Sequence, residues 1–142
     1  MTRQRLPTEL DCPKCGERNS VTLYDSINVS EDPNLKEKLF EGEINSFKCE
    51  KCQEKVFVQI PLLYHDMDKH FLVQYYPFNA VEDNEFLNQF SKEGEWSPEL
   101  INRIPRKLRE PYKRIHIVFD MGELVRYVIF RDKIAERWKG AT

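Results

Sequence analysis

Glycine is scarce in this sequence, and long apolar runs are missing. The five glycines do not cluster, so a glycine-rich loop that cradles phosphates is excluded and nucleotide binding is not expected. No stretch approaches the roughly 20 apolar residues of a membrane span, and the N-terminus has no signal-peptide core. We therefore expect a cytoplasmic protein without a membrane partner, in a compartment where thiols stay reduced.

An excess of charge of one sign is also missing. Charged residues make up 32% of the 142 residues, but 22 basic and 24 acidic side chains leave a net charge of −2. No overall field therefore favours nucleic acid or an anionic membrane. Hydrophobic residues at 40% and aromatic residues at 12% suffice for a packed core, which excludes a disordered chain.

The four cysteines form two pairs of identical spacing, Cys12 with Cys15 and Cys49 with Cys52. In a reducing compartment such pairs indicate a metal site rather than disulfides. A Cys-x-x-Cys turn holds its sulfurs about 3.5–4 Å apart, as tetrahedral bonds of ~2.3 Å require. We predict that the four thiolates bind one structural Zn²⁺ ion per chain, which leaves no coordination position open for catalysis.

A redox role for the first cysteine pair is the alternative. A dithiol active site stands at the start of a helix, where the thiol pKa is lowered. Here Gly16 and a strand-like segment follow Cys15, and a second pair is present to complete a metal shell. The pattern favours zinc over redox chemistry.

Apolar periodicity and capping residues predict the elements between and around the cysteines. The N-terminal elements are a strand over residues 20–29, a helix over 33–41 capped by Asp32, an extended segment over 44–48, a strand over 55–64 interrupted by Pro61, and a strand over 70–76. The last two strands would form a hairpin.

Capping residues and apolar alternation also predict the C-terminal elements. Ser97 and Pro98 open a helix that Pro105 should kink or split, residues 114–120 alternate as a strand, and Asp120 with Glu123 opens a final helix over 121–138. The predicted fold is α+β. A zinc-ribbon-like antiparallel β module with a short inserted helix spans residues 10–77, and a helix–strand–helix extension over 78–142 packs on it as one globular unit.

Four polar side chains crowd the turn of the predicted hairpin: His65, Asp66, Asp68 and His70. They could form a second metal site or a catalytic cluster, although polar residues are the ordinary composition of a turn between apolar strands. An enzyme built on this turn is the weakest functional hypothesis, because the sequence shows no nucleophile beside a base.

A basic stretch over residues 103–114 is the candidate phosphate-binding segment. It contains Arg103, Arg106, Lys107, Arg109, Lys113 and Arg114 against the single acid Glu110. Residues 82–95, with five acids and one lysine, could offset this charge, and Tyr112 alone interleaves for base stacking. Nucleic-acid binding is therefore the second hypothesis. The first is a zinc-stabilised binding or adaptor module that contacts protein and is not an enzyme.

Four segments make the chain resemble the CpXC family of prokaryotic proteins. They are Cys12-Pro13-Lys14-Cys15-Gly16, residues 25–33, Cys49-x-x-Cys52 and residues 61–67. The resemblance is strong over residues 10–77 and looser beyond. It implies a zinc-ribbon-like α+β module in a prokaryotic cytoplasm and no particular activity.

The second cysteine motif departs from the family pattern, because Glu50 and Gln53 replace proline and glycine. We expect Gln53 to need a left-handed backbone at a cost of ~1 kcal/mol.

Overall fold

The computed structural model describes residues 2–139, which form two compact units divided between Met67 and Asp68. Within these residues the fold contains five α-helices, several short sheets and clustered cysteines. This content confirms the α+β class and is consistent with a zinc-ribbon-like module. The predicted boundary at residue 77, and the packing of the two parts into one globular unit, stay predictions.

The N-terminal unit consists mainly of short strands. Its elements are β1 (Arg3–Gln4), β2 (Thr8–Asp11), β3 (Arg18–Val21), β4 (Tyr24–Asn28), α1 (Asn34–Phe40), β5 (Ser46–Lys48), β6 (Lys55–Phe57) and β7 (Leu62–Asp66). β2 with β3 and β5 with β6 form two antiparallel ribbons, whereas β4 pairs with antiparallel β1 and parallel β7. Ile27, Leu62 and Tyr64 are fully buried in this unit.

Two of the predicted strands are each divided in the structure. The strand predicted over 20–29 is interrupted at Thr22 and Leu23, and its halves β3 and β4 belong to different sheets. The strand predicted over 55–64 ends at Phe57, and β7 begins in another sheet after Pro61. Period-two alternation cannot detect a change of sheet. The arms of the predicted hairpin lie in different units, so that pairing stays a prediction.

The short helix α1 lies where the sequence predicts it. Gly42 follows its end with a φ of +76°, a left-handed conformation that glycine adopts readily. Leu35 and Leu39 are buried in the core. The expected side-chain cap by Asp32 is wrong: the helix is preceded by Pro33 without a side-chain cap, and the Asp32 backbone carbonyl accepts the Leu35 N–H.

The C-terminal unit places helices around a pair of strands. Its elements are β8 (Phe71–Tyr75), α2 (Asn84–Leu87), α3 (Pro98–Asn102), α4 (Arg109–Lys113), β9 (His116–Val118) and α5 (Met121–Arg137), with 3₁₀ turns at Phe78–Glu82 and Arg106–Leu108. β8 and β9 are parallel, which requires the long helical connection between them. Leu124 and Val128 of α5 are fully buried.

Local sequence signals placed the starts of α3 and α5 correctly. The Ser97 hydroxyl accepts the Leu100 N–H, and an Asp120 carboxylate oxygen accepts the Gly122 N–H at 2.7 Å. Pro105 divides the predicted helix, because α3 ends before it and a 3₁₀ turn and α4 follow.

Candidate metal centre

The first cysteine pair lies in the turn that joins β2 to β3. The Gly16 backbone N–H donates to the Cys12 carbonyl at 2.8 Å, and the Cys12 N–H donates to the Glu17 carbonyl at 2.8 Å. Gly16 has a φ of +80°, and the ring of Pro13 restricts the backbone at the start of the turn. The resulting tight turn directs the Cys12 and Cys15 sulfurs into the same four-cysteine cluster.

The second pair lies in the turn that joins β5 to β6, and its backbone repeats the first. The Gln53 N–H donates to the Cys49 carbonyl at 2.9 Å, and the Cys49 N–H donates to the Glu54 carbonyl at 2.9 Å. Gln53 has a φ of +65°, which confirms the expected left-handed conformation. Its side-chain Nε2 donates to the Glu50 carbonyl at 3.0 Å.

The two turns bring all four sulfurs together. Cys12 Sγ lies 3.6 Å from Cys52 Sγ, Cys15 Sγ lies 3.5 Å from Cys49 Sγ, and all four atoms lie within 4.8 Å of one another. Four ligands around a tetrahedral ion with ~2.3 Å bonds lie about 3.8 Å apart, so the cluster fits one ion. Four thiolates suit zinc or iron, and they leave no free coordination position.

Asn19 connects the two cysteine turns and was not identified from the sequence. Its side chain is buried, its Nδ2 lies 3.6 Å from Cys49 Sγ and 3.0 Å from the Glu17 carbonyl, and its Oδ1 accepts the Glu50 N–H at 3.1 Å. Hydrogen bonds of this kind orient metal ligands. One signal was available. Asn19 lies two positions before the apolar Val21, so the two side chains share one face of β3, and both are buried.

The thiols of the cluster differ in acidity. Backbone N–H groups of Cys52 and Lys51, with the Asn19 side chain, lower the pKa of Cys49 to about 6 against the effect of burial. The hydrogen bond from the Glu54 backbone N–H lowers the pKa of Cys52. Burial and the neighbouring thiols outweigh this effect and raise the pKa of Cys52 to about 12. Adjacent thiolates repel one another, so a bound dication is what allows all four to ionise together.

The four polar residues that the sequence placed at the hairpin turn are divided between the two units: His65, Asp66, Asp68 and His70. His65 and Asp66 belong to β7 rather than to the turn, which corrects the predicted start of that turn. His65 is half-buried, which lowers its pKa, and Asp66 is buried. Asp68 and His70 are exposed, and His70 has a φ of +59°. A site formed by these side chains stays a prediction.

Two of the six basic side chains in the basic stretch form contacts with neighbouring residues of the chain. Arg109 donates from Nε to the Ile104 carbonyl at 2.7 Å and from Nη2 to the Asn102 carbonyl at 3.1 Å. Lys113 pairs with Glu110 at 3.5 Å. The other four basic side chains are exposed and form no ion pair with any residue in 2–139: Arg103, Arg106, Lys107 and Arg114. Phosphate contact by this stretch stays a prediction.

Together, the fold and the cluster define a small α+β protein with a four-cysteine module that could bind a metal ion. The chain belongs to the CpXC family, whose model, described as CpXC protein, matches residues 10–139. The match confirms the resemblance and covers the C-terminal part of the chain as well. No curated protein and no solved structure matches the chain. Among the described residues, no helix has both the length and the apolar character needed to cross a membrane.

Proposed function

We propose that this CpXC protein is a zinc-stabilised binding module of the cytoplasm that contacts a protein partner and does not catalyse a reaction. The supporting observation is the closed cluster of Cys12, Cys15, Cys49 and Cys52. Four thiolates complete the shell of a tetrahedral ion and leave no position for water or substrate. An ion held in this way contributes to folding rather than to chemistry.

Large apolar side chains on the surface support a protein partner. In the C-terminal unit the exposed fraction is 67% for Phe78, 57% for Leu108 and 59% for Trp138. Aromatic side chains are enriched in protein–protein interfaces, where they supply much of the binding energy. The metal module would then stabilise the chain that presents these side chains.

Affinity capture from the native cells tests this proposal. The tagged, zinc-loaded chain should retain a protein in a fixed ratio after nuclease treatment and at physiological salt. Cys15→Ser, which removes one ligand, should lose zinc and lose or weaken this capture. Recovery of nucleic acid alone, or of no protein at all, would contradict the proposal.

Nucleic-acid binding is the second candidate function. The observation that favours it is a set of four exposed basic side chains that form no ion pair with any residue the structure describes: Arg103, Arg106, Lys107 and Arg114. Such a patch attracts phosphates through counterion release. Within residues 2–139, none of the acids in 82–95 forms an ion pair with this patch.

A further inference from the structure

An open groove of about 490 Å³ lies in the C-terminal unit beside α3, α4 and the 3₁₀ turn between them. Its lining is largely apolar and aromatic: Trp96, Leu100, Ile104, Pro105, Leu108 and Tyr112. Binding sites for small ligands commonly occupy roughly 300–1,000 Å³ and have linings of this kind. The groove is therefore large enough to hold one or two side chains of a peptide.

Local contacts hold the groove in shape. The rings of Trp96 and Tyr112 stack with centroids 6.0 Å apart and an interplanar angle of 27°. A backbone bridge joins Trp96 to Phe90, and the two hydrogen bonds from Arg109 fasten α4 to carbonyls at the end of α3 and beyond it. A preformed groove loses less conformational entropy on binding than a flexible one.

One charged side chain takes part in the lining. Arg103 is exposed at the groove and forms no ion pair with any described residue. Arg106 and Lys107 follow it in the 3₁₀ turn, are also exposed, and pair with none of the acids among residues 2–139. The groove thus combines an apolar lining with a positive rim, which complements an apolar side chain next to carboxylates.

We propose that this groove binds a short acidic peptide segment of the protein partner. An apolar side chain of the segment lies against Leu100, Ile104 and Leu108, and an adjacent Asp or Glu pairs with Arg103. This inference rests on the proposed function, because it specifies which part of a protein partner is recognised. The combination of an apolar anchor and a charged flank is an established form of peptide recognition.

The lining favours a peptide over single-stranded nucleic acid. Nucleic-acid grooves need aromatic faces free for stacking and cations that follow the phosphates. Here Trp96 and Tyr112 stack on each other, and most of the remaining lining is aliphatic. Among the residues that the structure describes, Arg103 is the only basic side chain that lines this groove.

Selection of a random peptide library on phage against the full-length, zinc-loaded protein tests the inference. Enriched peptides are synthesised with a fluorescent label and titrated against the unaltered chain by fluorescence anisotropy. We expect enriched peptides that share an apolar residue beside Asp or Glu. No enrichment, or enrichment of basic peptides, would overturn the inference.

Matched variants locate the binding. Arg103→Glu and Leu108→Ser should each weaken these peptides by about tenfold or more, and Arg103→Glu should shift the selected flank from acidic to basic. Arg114→Glu, with the same charge change at an exposed arginine outside the rim, and Leu87→Ser, at another exposed leucine of this unit, should have much smaller effects. Both control residues lie outside the groove lining. The inference would be overturned if the Arg103→Glu and Leu108→Ser variants both bound the peptides as tightly as wild type while zinc content and melting curves stayed unchanged. Displacement of the peptides by an oligo-dT strand at physiological salt would overturn it as well.

Cellular capture with the Arg103→Glu, Leu108→Ser double variant separates this inference from the proposed function. Loss of the captured protein supports the groove. Retention of the same protein by the double variant would refute the groove as its binding site and leave the proposed function intact. Failure of the wild-type chain to capture any protein would count against the proposed function itself.

Discussion

Gln53 in the second cysteine turn and Gly16 in the first share the same left-handed backbone conformation. The φ of Gln53 is +65° and that of Gly16 is +80°. Each donates its N–H to the carbonyl of the leading cysteine, Cys49 or Cys12. The two turns therefore require the same backbone geometry although only one contains glycine. The hydrogen bond from the Gln53 side chain to the Glu50 carbonyl offsets part of the resulting strain.

Substitutions at these two positions should have opposite signs. Gly16→Ala should lower the free energy of unfolding by about 1–2 kcal/mol, the cost of a left-handed backbone for a residue with a Cβ. The added Cβ would meet no atom within 4 Å, so this cost is conformational. Gln53→Gly should stabilise by a smaller amount, because glycine relieves strain but gains freedom in the unfolded chain. Urea unfolding with zinc in excess measures both.

Gly94 provides the matched control for this comparison. It has a φ of +82°, and an added Cβ would also meet no neighbouring atom. Gly94→Ala should show a similar cost without changing metal affinity. Destabilisation of equal size by Gly16→Ala and Gln53→Gly would show that the two turns do not share one backbone requirement.

Asn19→Ala should weaken metal binding about 10–100-fold, as is usual for residues that orient metal ligands. The substitution removes the contact to Cys49 Sγ and leaves the Glu50 N–H without its acceptor, which should also cost about 1–3 kcal/mol of stability. Competition with a chromogenic chelator measures the affinity. Asn34→Ala, at an exposed position in α1, is the control. Equal zinc affinity in both variants would mean that Asn19 does not support the site.

Stability should depend on the protonation of His65. Burial lowers the pKa of His65, so the unfolded chain takes up this proton at a higher pH than the folded chain. The stabilising contribution is complete above the unfolded pKa of about 6.5 and is lost as the pH falls through the lower folded value. Wild type should therefore lose stability more steeply than His65→Gln between about pH 7 and pH 5.

Denaturant unfolding at a series of pH values measures this difference. Both proteins share the pH dependence of zinc binding, so the difference between their slopes isolates the imidazole. His70→Gln controls for loss of an exposed histidine. Parallel curves for wild type and His65→Gln would contradict the prediction.

The basic stretch should not bind a mixed oligonucleotide pool with submicromolar affinity at physiological salt. Arg109 is held by the carbonyls of Ile104 and Asn102, so changing Arg103, Arg106 and Lys107 to alanine is the sharper test. If the alternative function holds, fluorescence anisotropy should show tight binding whose salt slope falls by about one unit per lost phosphate contact. That outcome would displace the protein-binding proposal.

Features set by neighbouring residues were the ones that the sequence predicted best. The cysteine pairs are local turns, and the starts of α3 and α5 depend on Ser97 and Asp120 within the same turn of chain. The backbone of Gln53 could be predicted because the departure from glycine lies inside one five-residue motif, residues 49–53. Such signals need no knowledge of which segments pair.

Features set by distant residues were missed. Pairing β4 in parallel with β7 joins residues such as Ile27 and Tyr64, and no periodicity encodes that choice. The same holds for the changes of sheet at Leu23 and Pro61. Asn19 was overlooked because its role depends on Glu50 and Cys49, which only the folded chain brings near.

Native mass spectrometry of the freshly purified protein, combined with thiol alkylation, tests the central claim most directly. We predict one zinc ion per chain, no visible absorbance from iron, and alkylation of Cys12, Cys15, Cys49 and Cys52 only after a chelator removes the ion. Cys15→Ser should lose the ion and melt at a lower temperature. Iron in place of zinc, two metal ions per chain, a Cys12–Cys15 disulfide, or a melting curve unchanged by metal removal would contradict a structural four-thiolate zinc site.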